Sequence, residues 1–267
     1  SIGLFTLMLG GATVLNGGDD TLLLVGAALI LLTMFGWFGT VVYESERGLY
    51  SDQMDRSFRW GMGWFIFSEV MFFAAFFGAL FYARQYAVPW LGGETSHGVL
   101  TQSLLWPQYE AAWPTNGPGD IGGFFAPMRP WGLPALNTLI LLSSGATITW
   151  AHWGLVENRR GQWLKGLAAT IVLGVLFLTL QAVEYRHAYQ DLYLTLGSGI
   201  YGSTFFMLTG FHGLHVTIGA IILTVILLRG LAGHFTPQRH FAFEAAAWYW
   251  HFVDVVWLGL FIFIYWL

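Results

Sequence analysis

The chain has 267 residues, of which 56% are apolar, 18% aromatic and only 10% charged, with a formal net charge of −4 and no cysteine. An ordinary globular domain is about 25% charged, so this composition excludes a water-soluble enzyme, and eleven Lys and Arg against fifteen acids exclude a nucleic-acid binder that works by neutralising phosphates. Without cysteine there is no disulfide framework, Fe–S cluster, thiolate nucleophile or Cys-ligated zinc. Such a chain reads as an integral membrane protein.

A helix needs about 20 apolar residues to cross a hydrocarbon core roughly 30 Å thick. Seven such runs are predicted, at 2–17, 21–43, 60–83, 131–156, 163–185, 200–228 and 241–267. The expected fold is therefore all-α, a polytopic membrane protein with seven transmembrane helices. Its expected organisation is helices one and two in 1–43, a loop at 44–59, and helices three to seven in 60–267. A β-barrel would alternate in ten-residue segments, and TLLLVGAALILLTMF does not. The first run is short and lacks a preceding Met or charged flank, so it is expected to continue a longer native helix.

The loops 44–59, 157–165 and 229–240 follow the second, fourth and sixth helices and carry eight of the eleven cations. Only Arg84, Arg129 and Arg186 lie on the other side. The positive-inside rule makes the first set cytoplasmic, or matrix-facing, and puts the C-terminus outside. The outer-side connection 84–130 is rich in Gly, Pro and Trp, and a segment of that length is expected to cover or contact something.

Polar groups inside the spans each ask for a reason, because a mid-membrane carboxylate costs about 2.5–3.5 kcal/mol on insertion scales. Glu69 in the third span has Phe65, Phe72, Phe73 and Phe76 on its own helical face. That carbon withholds water from an anion and favours the neutral acid, serving either in proton handling or ligand contact, or as a hydrogen bond between helices. In the sixth span His212 and His215 stand at i, i+3, an arrangement open to a metal or haem or to bonds with neighbouring helices. Gly213, Thr217 and Ala220 make a small-residue stripe there that would permit close helix contact. In the seventh span Glu244, His251 and Asp254 fall within roughly 80° around the helix, either as an acid–His–acid relay or as an inward structural network. No phosphate-binding glycine loop, G-x-S-x-G elbow or H-E-x-x-H motif is present. No catalytic residue and no metal site are expected.

The segments FSEVMFF (67–73), YGSTFFMLTGFHGLHVTIG (201–219) and FEAAAWYWHFVDVVWLGLFIFIYW (243–266) resemble the signature stretches of subunit III of haem–copper cytochrome c oxidases. LNTLILLSSGATITWAH (136–152) and LQAVEY (180–185) resemble that family's fourth and fifth helices. The likeness runs along the whole chain and fails mainly in 84–130. It implies a two-helix and a five-helix bundle around a lipid-filled V-shaped cleft, in a subunit that binds no redox cofactor. The haems and copper would sit on partner subunits, with subunit I as the main contact and subunit II as a further partner. The role implied is a non-catalytic core subunit of a proton-pumping terminal oxidase, stabilising the catalytic subunit and supporting proton uptake. The resemblance also places Glu69 on the family's carbodiimide-reactive membrane glutamate, and Trp37, Glu44, Arg229 and His234 where members contact structural phospholipid. The family's usual Trp pair is Trp37–Phe38 here, and histidines common in the following loop are absent from ERGLYSDQMDR.

Other classes fit less well. A retinal protein needs a mid-membrane lysine, and the only lysine, Lys165, stands at a helix end. A membrane di-iron enzyme needs many clustered histidines, and the eight here are scattered. A related quinol oxidase would use a similar subunit, since the electron donor is decided elsewhere in the complex. One lysine against ten arginines points to the bacterial plasma membrane ahead of the mitochondrial inner membrane.

Overall fold

The computed structural model describes residues 1–267, and it is all-helical. In chain order the elements are α1 (Ile2–Leu15), α2 (Thr21–Glu46), α3 (Asp52–Tyr82), a π-helical turn (Ala83–Ala87), α4 (Val88–Leu91), α5 (Gly98–Leu105), α6 (Leu133–Val156), α7 (Arg160–Gln190), α8 (Gly199–Leu231) and α9 (Phe241–Leu260), which runs into π-helical Phe261–Trp266. Six segments are long and apolar enough to cross a membrane, and Ile2–Leu15 is a shorter apolar helix before them. Two compact units result, Ser1–Phe58 and Arg59–Leu267.

Several helices, α2, α3, α7 and α8 among them, outrun the apolar stretches that announce them, whereas α1 stops at Leu15 and α6 starts at Leu133, each two residues short. α3 begins at Asp52, not near 60, because DQMDRSFR continues the helix; Asp52 and Asp55 in its first turn suit the positive end of the helix dipole. The loop expected at 44–59 therefore shrinks to a short turn. The 84–130 connection contains α4 and α5, and its later part folds back onto the larger unit. There the Ala126 N–H donates to the Leu192 carbonyl (2.9 Å) and the Tyr201 N–H to the Thr115 carbonyl (3.2 Å). A cavity of about 730 Å³ lies at this end, lined among others by Trp113, Arg129, Trp131, His187, Tyr201 and Tyr265.

In the smaller unit α1 and α2 form a hairpin held by glycine. A Cβ on Gly10 would strike the backbone of Leu22 and Leu23, and one on Gly26 the backbone of Leu7. The turn between them is closed by the Asn16 side chain donating to the Ala12 carbonyl (2.8 Å), with Gly17 at φ +80°.

In the larger unit the core gathers around tryptophans of α9. Trp250 is fully buried, and its ring occupies the spaces that a Cβ would fill on Gly174 of α7 and on Gly219 of α8. Its indole N–H donates to Ser144 Oγ on α6 (2.9 Å), so one side chain ties four helices. Trp257, also fully buried, donates to Thr138 Oγ1 on α6 (3.0 Å). Of the stripe Gly213, Thr217 and Ala220, only Ala220 is buried within this chain. Nothing lies within 4 Å of a Cβ on Gly213, and Thr217 is exposed; the neighbouring face, through Gly219, takes the indole instead.

Candidate functional site

Several polar groups of the larger unit sort into local clusters closed by a partner on another helix; buried Asn137 of α6 instead makes no side-chain hydrogen bond. Glu69 on α3 meets His215 on α8, with Oε2 2.9 Å from Nε2, a pairing the sequence did not reveal. The other ring nitrogen, Nδ1, lies 2.6 Å from the Phe211 carbonyl. A carbonyl only accepts, so Nδ1 carries a proton, and Nε2 and the carboxyl then share one more. Whichever of them holds it, the pair is neutral overall, which suits a low-dielectric position. The expected aromatic surroundings are present: Phe73 is buried with its ring 5.0 Å from His215, Phe72 is 5.9 Å from it, and both Phe72 and Phe76 lie against Phe211. Phe65 stacks instead on Tyr249, which donates to the His215 carbonyl.

His212 stands one turn before His215 but faces elsewhere. It is buried, its Nε2–H donates to the Val253 carbonyl (3.2 Å), and its ring lies against Phe177 and Trp257. The two histidines thus serve different helices.

The seventh-span residues separate as well. His251 Nδ1 and Asp254 Oδ2 are 3.6 Å apart, and Thr149 of α6 lies 3.3 Å from His251 Nε2. Asp254 is nested against Gly145, where a Cβ would collide with its Oδ2. Glu244 belongs to another group at the start of α9. Its Oε2 pairs with the Arg59 guanidinium, while Oε1 faces His240 Nε2 (3.1 Å) and His152 Nε2 (3.8 Å).

One buried acid was not singled out in the sequence. Glu184 of α7 is fully buried and accepts from the Tyr265 hydroxyl (2.5 Å) and from Gln181 (3.4 Å). Its neighbours on either side in the chain are ordinary for a helix near a membrane surface. The usable signal was Gln181 one turn before it, a second polar group on the same face.

The four residues implied for phospholipid contact have definite settings. Trp37 in α2 is 61% exposed and stacked on Phe38 at 5.3 Å. Glu44 accepts from the Tyr50 hydroxyl (2.9 Å). Arg229, in the last turn of α8, lies over the Phe235 ring at 4.8 Å, and the His234 N–H donates to the Arg229 carbonyl (3.1 Å).

Comparison with known proteins adds a full-length likeness. Residues 1–267 match the family described as Cytochrome c oxidase subunit III. The chain is 44% identical to cytochrome c oxidase subunit 3 of Formosania lacustris over 267 residues, covering 100% of this chain and 91% of that one. It is 48% identical to that of Pongo abelii over 249 residues (93% and 84%) and 45% identical to that of Homo sapiens over 247 residues (92% and 84%).

Proposed function

The chain belongs to the cytochrome c oxidase subunit III family, and from that premise we propose that it acts as a non-catalytic support, stabilising the catalytic subunit and assisting its proton uptake. It is an integral membrane subunit of a respiratory oxidase, of a type that carries no redox centre itself. The observation that carries the supporting role is the use made of its membrane-embedded polar groups. Glu69 closes on His215, Glu184 on Tyr265, Trp250 on Ser144 and Trp257 on Thr138, each joining two helices. These groups serve as fastenings of a rigid scaffold, which is what a neighbouring catalytic subunit needs to lean on. His152, His240 and Glu244 lie together at the end that the cation distribution assigns to the cytoplasm, the side from which protons are taken up.

Subunit I is the proposed main contact, with subunit II a further partner, and the bacterial plasma membrane is the proposed location. Structural phospholipid belongs to the same reading, with Trp37 and Glu44 serving in the smaller unit and Arg229 and His234 in the larger. A guanidinium grips phosphate through paired N–H donors, and Arg229 stands at the helix end where headgroups lie. Arg229→Ala, followed by lipid analysis of the purified oxidase and a turnover time course, tests this. Lost lipid with faster inactivation is expected; unchanged lipid and unchanged inactivation would leave Arg229 an ordinary interfacial anchor.

A further inference from the structure

We propose that Asn137, Gln181 and Glu184 hold bound water in a buried polar pocket between α6, α7 and the π-helical turn after α9. All three side chains are buried, Asn137 and Glu184 completely. Asn137 Nδ2 and Oδ1, Gln181 Oε1 and Glu184 Oε2 have no hydrogen-bond partner in the chain. Glu184 Oε1, by contrast, accepts from both the Tyr265 hydroxyl (2.5 Å) and Gln181 Nε2 (3.4 Å). Buried polar atoms are nearly always paired, with protein or with ordered water. Four open atoms therefore ask for a common partner.

The helix register brings the four together. Trp250 of α9 fills the space beside Gly174 of α7 and donates to Ser144 of α6, which fixes one level of a three-helix seam. Asn137 stands seven residues before Ser144, and Gln181 seven after Gly174. On antiparallel helices that is two turns in the same direction, on the same faces. Trp257 marks the next level of the seam, its ring 4.7 Å from that of Phe177 on α7 and its N–H on Thr138 of α6. Tyr265 marks the last, bonded to Glu184. Asn137 and Gln181 fall between these two levels, yet the Asn137 amide bonds to neither Gln181 nor Glu184. A gap of that kind between polar groups is one that water spans. A buried water makes about three hydrogen bonds, so the open atoms call for roughly one or two molecules. Their way in is the cavity of about 730 Å³, which is lined by Tyr265 and by Pro134, one turn before Asn137. Arg129 and His187 line it as well, which makes it a cavity that water enters. A cation would leave the two N–H donors of Asn137 unmet, whereas water serves donor and acceptor alike. Held there, it joins α6 to α7, as Trp250 does two turns deeper.

The test is an electron cryomicroscopy map of the whole oxidase at a resolution that shows ordered water, for wild type and for Asn137→Leu. Leucine has a similar size and removes every side-chain donor and acceptor at that position. Wild type is expected to show water density about 2.7–3.2 Å from the Asn137 side chain, also within reach of Glu184 Oε2 or Gln181 Oε1. Asn137→Leu is expected to lose the peak nearest position 137. The wild-type map decides alone if the variant fails to assemble. A dry pocket with the Asn137 amide bonded directly to Gln181 or Glu184 would overturn the proposal. So would an elongated lipid or detergent density in its place, or water unchanged in Asn137→Leu.

Discussion

Glu69 and His215 share one proton between two groups that a membrane interior would not tolerate as separate charges. A hydrophobic carbodiimide attacks a protonated carboxyl, the form Glu69 takes whenever it holds the shared proton, so Glu69 is expected to be the acid it labels in the purified oxidase. Glu69→Gln should keep oxygen reduction going, because His215 ends in a backbone carbonyl and leads no further. Labelling of another acid in preference, or complete loss of turnover in Glu69→Gln, would contradict this role. The variants should also rank by stability. Gln still offers a donor to Nε2, whereas His215→Leu leaves the carboxyl facing phenylalanine and costs about 1–3 kcal/mol. Thermal unfolding of the complex should therefore show His215→Leu as the less stable; the reverse order would mean that the pair does not hold α3 to α8. Tyr50 gives a second case, outside the spans. Burial, and then the Glu44 carboxylate bonded to it, push its phenol above the ordinary 10. A neutral donor stabilised in the fold contributes fully below that ordinary value and is lost as pH rises through the raised one. Tyr50→Phe should make the 47–51 turn more open to protease at neutral pH and make no difference in strong alkali. A difference that persists there would contradict the bond.

At the scale of the helix, hydropathy located all seven apolar segments but misplaced several ends. It reports where lipid must be faced, and DQMDRSFR at the start of α3 is helical without facing lipid. Partners were harder still. Glu69 and His215 are 146 positions apart, and helical periodicity shows which face a residue occupies but not which helix meets it. The same limit let Glu244, His251 and Asp254 look like one relay along a face. In the structure Glu244 turns to Arg59, His240 and His152, and the other two turn to Thr149 and Gly145. The glycines behave likewise: Gly219 and Gly174 matter because an indole fills their missing side chains, while Gly213 of the same helix meets nothing. In the α1–α2 hairpin the contact is backbone to backbone. Gly26→Ala should force the helices apart at about 1–3 kcal/mol, seen as lower retention of the subunit during purification. Gly36→Ala on the same helix, with nothing within 4 Å, should leave retention unchanged. Equal behaviour of the two variants would mean that the close approach at Gly26 is not needed.

The molecule as a whole is a set of helices joined by several polar side-chain pairs and with largely apolar surfaces, including Phe67, Phe81, Trp60 and Trp64 of α3 at more than half exposure. Lipid or protein must cover such surfaces. Membership of the oxidase family supplies protein neighbours, and the role proposed above is to hold the catalytic neighbour in shape while supporting its proton uptake. That reasoning separates two quantities that a catalytic subunit would move together, the initial rate of oxygen reduction and the lifetime of the enzyme while it turns over. The direct measurement is a turnover time course of the oxidase with this chain present and with it removed, the haem content being equal. The account predicts that the depleted enzyme starts at a rate of the same order and then inactivates faster. Immediate and complete loss of activity on removal, or an inactivation curve identical to that of the intact enzyme, would contradict it.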